Sequence, residues 1–317
     1  MFARGRIARL TAWGSTVREL SICAFTLIVV IAAPGDAQTY GNGVPPRAGM
    51  RIVEQHTWSS HEGRLMAYYS AALAFSPVGA PRVANARGAS IGLELSWLPA
   101  LSEAQRSAGF SKAQSTNLAP VIPRPRVSVG LPAGFTLEGS WIPPIRAFGV
   151  TANLVSGAIA RSFETAGSFT LTPRIAGTIG SVKGPITCND DLRARGGGDA
   201  IYYTYICHDT ESEDSFEPNS LSGELIASRS FRRGALAPYA GVGVRVERDR
   251  FDVGVRFPDG TADPNHAILE LDLTRGYGFA GATWAGPRRS ALSAELFYAP
   301  GSLVTGRVQA SLRVFGS

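Results

Sequence analysis

Residues 304–315 read VTGRVQASLRVF. Val304, Gly306, Val308, Ala310, Leu312 and Val314 fall on one face, and Thr305, Arg307, Gln309, Ser311 and Arg313 on the other. Period two is the spacing of a β-strand, whose successive side chains point to opposite sides. A strand with one oily and one charged flank separates an apolar medium from a polar one.

The same alternation recurs along the chain. Ile91, Leu93, Leu95 and Trp97 oppose Ser90, Gly92, Glu94 and Ser96; Phe135, Leu137, Gly139 and Trp141 oppose Thr136, Glu138 and Ser140. Leu221, Leu225, Ala227 and Phe231 oppose Ser222, Glu224, Ser228 and Ser230; Val242, Val244 and Val246 oppose Arg245 and Glu247. Leu269, Leu271, Leu273, Tyr277 and Phe279 oppose Glu270, Asp272, Thr274 and Gly278; Leu292, Ala294, Leu296 and Tyr298 oppose Ser293 and Glu295. The spacing predicts twelve strands, near 51–59, 65–75, 89–98, 126–131, 135–142, 147–162, 168–181, 220–231, 236–257, 268–284, 290–299 and 303–315. The first is the weakest and serves equally as a lead-in.

At the N-terminus, Arg4, Arg6, Arg9 and Arg18 precede the apolar run Leu20–Pro34, and Gly35 and Ala37 then form a small-x-small exit before Gln38. That pattern is a secretory signal peptide over residues 1–37. An uncleaved anchor is the alternative, but the run is shorter than the ~20 residues a spanning helix needs. Ile22 before Cys23 argues against a lipid anchor. Residues 38–50 read as a flexible mature N-terminus and 51–317 as one domain. Cleavage takes four arginines, one glutamate and one aspartate, lowering the net charge from +6 to +4. No basic block with interleaved aromatics stands out, so a nucleic-acid partner is not expected.

No apolar run after residue 37 approaches the length of a spanning helix. A chain of such strands spans a bilayer only as a closed barrel, because lipid offers the backbone no hydrogen-bond partner. With both termini on one side, the long connections 99–125, 182–219 and 257–268 fall together at one end. The 76–88 connection is the exception. Trp97, Trp141, Trp284, Tyr298, Phe163, Phe231 and Phe315 stand at strand ends, as does Phe75, where rings make two girdles at the lipid–water boundaries.

On these features the chain resembles a Gram-negative outer-membrane β-barrel protein over roughly residues 50–317. The family typically ends on an aromatic residue read by its assembly machinery; here Phe315 is followed by Gly316 and Ser317. The resemblance implies an all-β transmembrane antiparallel barrel with short periplasmic turns and longer outer loops. It also implies outer-membrane lipid and the barrel-assembly machinery as partners, and no cofactor.

If the apolar faces meet lipid, Glu94, Glu138, Glu224, Asp272, Glu295, Arg126, Arg245, Arg307 and Arg313 point inward. The first reading is that they line a wet pore giving passive passage to small solutes; the alternative is that they pair across the interior and close it, leaving a barrel that displays its loops. Arg229 and Arg275 sit on the nominal lipid face and are misfits. Arg229 lies near a strand end, where it reaches the interface, and a bulge near Thr274-Arg275-Gly276 would turn Arg275 inward.

Enzymatic signals are weak. Residues 88–92, GASIG, match a nucleophile elbow but open a strand rather than a helix. Residues 276–281, GYGFAG, match a phosphate-loop pattern in mid-strand. His56, His61, His208 and His266 have no metal-ligand spacing; a rim hydrolase using His208 or His266 is the least favoured reading. The acidic stretch 209–217 reads as a solvated loop, with divalent-cation binding as the alternative. Cys188 and Cys207 are the two cysteines after residue 37 and are expected to form a disulfide.

Overall fold

The computed structural model describes residues 52–81, 88–101, 120–147, 149–165, 169–188, 211–231, 235–254 and 267–316. Ten antiparallel strands close on themselves: β2 (Gly88–Trp97), β3 (Val121–Gly130), β4 (Phe135–Ile142), β5 (Val150–Arg161), β6 (Phe169–Gly184), β7 (Asp214–Arg229), β8 (Leu236–Asp252), β9 (Ala267–Ala285), β10 (Ser290–Ala299) and β11 (Leu303–Phe315). Each pairs with its successor, and β11 returns to β2, from Arg307 opposite Ser96 to Phe315 opposite Ala89. Closure leaves no sheet edge in the belt. The barrel has ten strands rather than twelve.

The short connections 131–134, 162–168, 230–235 and 286–289 lie at one end, the turn end. The connections 98–120, 185–213 and 253–266 lie at the other, the loop end, with the tight turn at Gly301. The outward rows are apolar and bare: Leu93 is 47% exposed, Val155 50%, Val244 51% and Leu296 57%. Among the described residues no second sheet packs on them. All seven girdle residues are exposed, from Phe231 at 40% to Phe315 at 58%, and Phe169 joins them.

Residues 65–75 are the largest departure from expectation. They belong to helix α1 (His61–Ala72) and its exit, inside the barrel. Ser60 caps the helix, its Oγ accepting from Gly63 N at 3.0 Å. A Cβ on Gly63 would stand 2.1 Å from the Thr57 carbonyl, so only glycine fits there. From Leu65 to Ala72 every residue is buried. A helix enclosed on all sides has no polar stripe, so the 3.6-residue signal is missing and chance alternation imitates a strand. Phe75 accordingly sits in the lumen, 2% exposed, and not in a girdle.

The predicted first strand is β1 (Ile52–His56), outside the barrel. It pairs in parallel with β9, Ile52 opposite Ala267 and His56 opposite Leu271. It covers the part of β9 that β10, which reaches only Gly278, leaves open. From there the chain runs down through α1 and residues 73–81 toward the start of β2. Residues 76–81 of the expected 76–88 connection therefore belong to this descent rather than to a turn, and 82–87 lie outside the described residues. The ends of the barrel, Gly88 and Phe315, lie together at the turn end, whereas Ile52 lies at the loop end.

On β9 the expected faces are reversed from Leu269 onward. Leu271, Arg275, Tyr277 and Phe279 point inward, and Asp272 is exposed outside. The cause is on β8: Gly241 faces Phe279 and Gly243 faces Tyr277 across the ladder. A Cβ at either glycine would lie 2.4 or 2.5 Å from the opposing ring. The rings fill room that these glycines leave inside the barrel. No bulge is needed to bring Arg275 in. Arg229 stays on the outer face at the end of β7, as expected.

The strand β3 also begins earlier than expected, because Pro123 and Pro125 lie within it. Its ladder with β4 ends at Arg126 opposite Ser140. Both prolines stand beyond that point, where the strand is paired only with β2 and a missing N–H is tolerated.

Candidate functional site in the barrel lumen

The lumen is occupied by the protein's own segment 57–81. Toward the loop end the contacts are apolar: Leu65, Met66, Tyr68 and Tyr69 pack among Phe216, Phe251, Leu269 and Leu271.

Below this the wall turns polar. Six arginines donate to the main chain of the segment in descending order. Arg275 reaches Ala67 O at 2.7 Å and Arg245 reaches Ser70 O at 3.5 Å. Arg307 reaches Ala71 O and Ala74 O at 3.3 and 3.0 Å. Arg124 reaches Leu73 O at 2.7 Å and Ala74 O at 3.2 Å. Arg174 reaches Phe75 O at 3.2 Å, and Arg126 reaches Pro77 O at 2.9 Å as well as Ser76 O. The last carbonyls of a helix lack partners within it and carry its negative pole. The last turn of α1 has no basic residue of its own. The barrel wall supplies the cations instead. The Phe75 ring lies under Arg126 at 4.1 Å and Arg174 at 5.1 Å, and Arg307 stacks over Phe297 at 4.3 Å.

The same arginines are balanced by carboxylates. Arg174 bonds Glu224 at 2.6 Å and Glu138 at 2.9 Å; Arg126 stands 3.4 Å from Glu94; Arg275 bonds Glu247 at 2.8 Å. Glu295 accepts from Tyr239 at 3.0 Å, from Val78 N at 3.1 Å and from Ser76 Oγ. A buried ion costs several kcal/mol unless its partners are in place, roughly the cost of breaking any one of these contacts. Between Leu65 and Val78 the segment brings no charged side chain, only neutral groups that meet the wall charges through main-chain carbonyls, Val78 N and Ser76 Oγ.

Of the nine charges expected inside, Glu94, Glu138, Glu224, Glu295, Arg126, Arg245 and Arg307 meet in this lattice. Asp272 lies outside the barrel, carried there by the reversal of β9. Arg313 shares the inward parity of Arg307 but is exposed beyond the lattice at the turn end. Arg124, Arg174, Arg275 and Glu247 complete the lattice; the sequence singled out neither Arg124 nor Arg174, placed Glu247 only on the polar row of its strand and marked Arg275 only as a misfit. For Arg174 the signal was present, since it alternates with Thr172 and Ala176 on the inner row.

Elsewhere, Ser90 of GASIG pairs with Ser128 at 2.8 Å in an unbroken strand, and GYGFAG lies within β9. Asp214, within the acidic stretch, is buried and ties the loop bases together, accepting from Thr187 N at 2.6 Å, Ser212 Oγ at 2.6 Å and Gly254 N at 3.0 Å. That residue is a clamp, not part of a solvated loop. Among the described residues no group of three His, Cys, Asp or Glu is placed to hold a metal. His56 sits 3.4 Å from Glu54 and 3.7 Å from Glu62, and His61 is exposed. Cys188 is buried; Cys207, His208 and His266 lie outside the described residues, as do residues 1–51.

No family model and no curated protein matches the chain. Among solved structures, the chain is similar to Ail, the attachment invasion locus protein of Yersinia pestis, at 10% identity and TM-score 0.29, over 72% of this chain and 98% of that one. The β domain of the Bordetella autotransporter BrkA is similar at 11% and 0.34, over 72% and 99%. The Pseudomonas putida toluene transporter TodX is similar at 11% and 0.28, over 71% and 67%. The architecture is an outer-membrane-type β-barrel by its closed sheet and its bare apolar belt, with aromatic side chains exposed at strand ends.

Proposed function

We propose that the chain is a non-enzymatic bacterial outer-membrane barrel, sealed at rest by residues 57–81. Its turn end faces the periplasm and its loop end faces outward. Residues 1–37 act as the cleaved signal peptide, and the barrel-assembly machinery inserts the product. The observation that carries the sealed state is the ladder of six wall arginines on the carbonyls of residues 67–77. With the lumen filled, its working surface is the loop end, where loops 98–120 and 185–213 are presented for binding. A Cys188–Cys207 bridge closes the second of these.

One feature favours a second reading, passage of small solutes when the segment withdraws. The segment adds no charge between Leu65 and Val78, so its departure leaves a wall whose arginines and carboxylates already balance, and water can replace the carbonyls. In that open state Glu94, Glu138, Glu224 and Arg307 would select among ions. Planar-bilayer recording separates the two. The full barrel is silent under the sealed reading, and a variant lacking residues 52–81 gives stepwise conductance. Sustained wild-type conductance equal to that of the deletion would refute the seal.

A further inference from the structure

Two lipid-facing arginines at the turn end are built alike. Arg161 ends β5 and Arg229 ends β7, both outward and exposed. Each begins the same tripeptide, Arg161-Ser162-Phe163 and Arg229-Ser230-Phe231. Each faces a phenylalanine across the ladder, Phe135 opposite Arg161 and Phe169 opposite Arg229. The guanidinium of Arg161 lies 5.0 Å from the Phe135 ring and 4.8 Å from that of Phe163. That of Arg229 lies 5.2 Å from Phe169 and 4.9 Å from Phe231.

Among the described residues neither arginine has a carboxylate partner. The turn Pro287–Arg289 adds Arg288 and Arg289 at the same end, exposed and held at φ of 54° and 68°. Rings that brace the flat faces of a guanidinium leave its N–H edge free, in the geometry that grips a phosphate through two bonds. Phe163, Phe169 and Phe231 fix the height of that edge at the lipid–water boundary, where headgroup phosphates stand.

We propose that the barrel binds phosphate-bearing lipid headgroups at its turn end through these two clamps, Arg161 between Phe135 and Phe163 and Arg229 between Phe169 and Phe231. The proposal rests on the membrane-barrel reading. Anionic lipid is favoured over zwitterionic lipid because no acid within the clamp offsets the cation. Each clamp takes one lipid, and Arg288 and Arg289 add long-range attraction.

The test is native mass spectrometry of the detergent-extracted full chain, titrated with dihexanoyl phosphatidylglycerol, dihexanoyl phosphatidylcholine or inorganic phosphate. The wild type should retain phosphatidylglycerol best and inorganic phosphate least. Arg161→Gln and Arg229→Gln should each weaken retention about fivefold at one site, as expected for one basic residue at an anionic surface. Phe163→Leu with Phe231→Leu keeps both charges and should weaken it roughly two- to fivefold through loss of the ring contacts. Unchanged retention in the double arginine variant, or inorganic phosphate held as well as the lipid, would overturn the proposal. Heated and unheated gel mobility of each variant reports the fold separately. A wild type without a heat-dependent shift would instead undermine the barrel reading itself.

Discussion

Arg307, in the last strand of the barrel, donates to the carbonyl of Ala74 at 3.0 Å, a residue 233 positions earlier that precedes the first barrel strand. That contact joins the wall to the segment it encloses, and the same guanidinium also reaches Ala71 O. Arg307→Gln should therefore loosen the segment before it harms the barrel. Losing a charged hydrogen bond of this kind costs about 1.5–3 kcal/mol. In bilayers the variant should show brief openings that the wild type lacks, with its heat-dependent gel shift retained.

Gly241 and Gly243 make a second prediction. Gly243→Val places a branched side chain where the Tyr277 ring lies, 2.5 Å from a bare Cβ. Overpacking of this sort costs about 1–3 kcal/mol. The temperature at which the folded band converts to the unfolded one on gels should fall. Gly223→Ala, with nothing within 4 Å of its Cβ, should leave it unchanged.

The course of β1 predicts which end of the barrel carries the start of the described chain. A protease-cleavable epitope inserted immediately before Ile52 should be cut on intact cells, like one placed in the 185–213 connection. The same epitope after Ser317 should be cut only after the outer membrane is breached. Protection of the first site in intact cells would contradict the parallel pairing of β1 with β9.

Asp272 and Glu94 should behave differently in the opened barrel. In the variant lacking residues 52–81, Glu94→Gln should shift ion preference because Glu94 faces the lumen. Asp272→Asn should leave that preference unchanged because it faces out. Reversal potentials in a salt gradient read both.

The sequence discloses the wall far better than its contents. Along β2, β4, β10 and β11 the alternation is strict and the medium on each side differs sharply, so the inward placement of Glu94, Glu138, Glu295 and Arg307 follows from parity alone. Along β9 large apolar residues lie on one row and glycines and alanines on much of the other. Only the glycines of the neighbouring strand decide that Tyr277 and Phe279 turn in. Pro123 and Pro125 conceal the strand that carries Arg124, since their tolerance depends on where the pairing with β4 stops. The helix is hidden for a related reason: enclosed by a barrel, it needs no polar face. What reveals it locally is its start, Ser60 and Gly63 ahead of an alanine-rich run. The role of Arg275 was legible only as a misfit, a charge with no place in lipid, and the misfit marked the row that was misassigned.

If residues 57–81 exclude water from the middle of the barrel, position 73 is shielded from solvent. Leu73 is 4% exposed beside Arg124. In Leu73→Cys with Cys188 and Cys207 replaced by serine, a charged methanethiosulfonate reagent applied to the folded, detergent-extracted protein should leave the thiol unmodified until the sample is boiled. Modification of the unheated protein as fast as that of a cysteine placed at the exposed Gly301 turn would show an open, wet lumen and contradict the account.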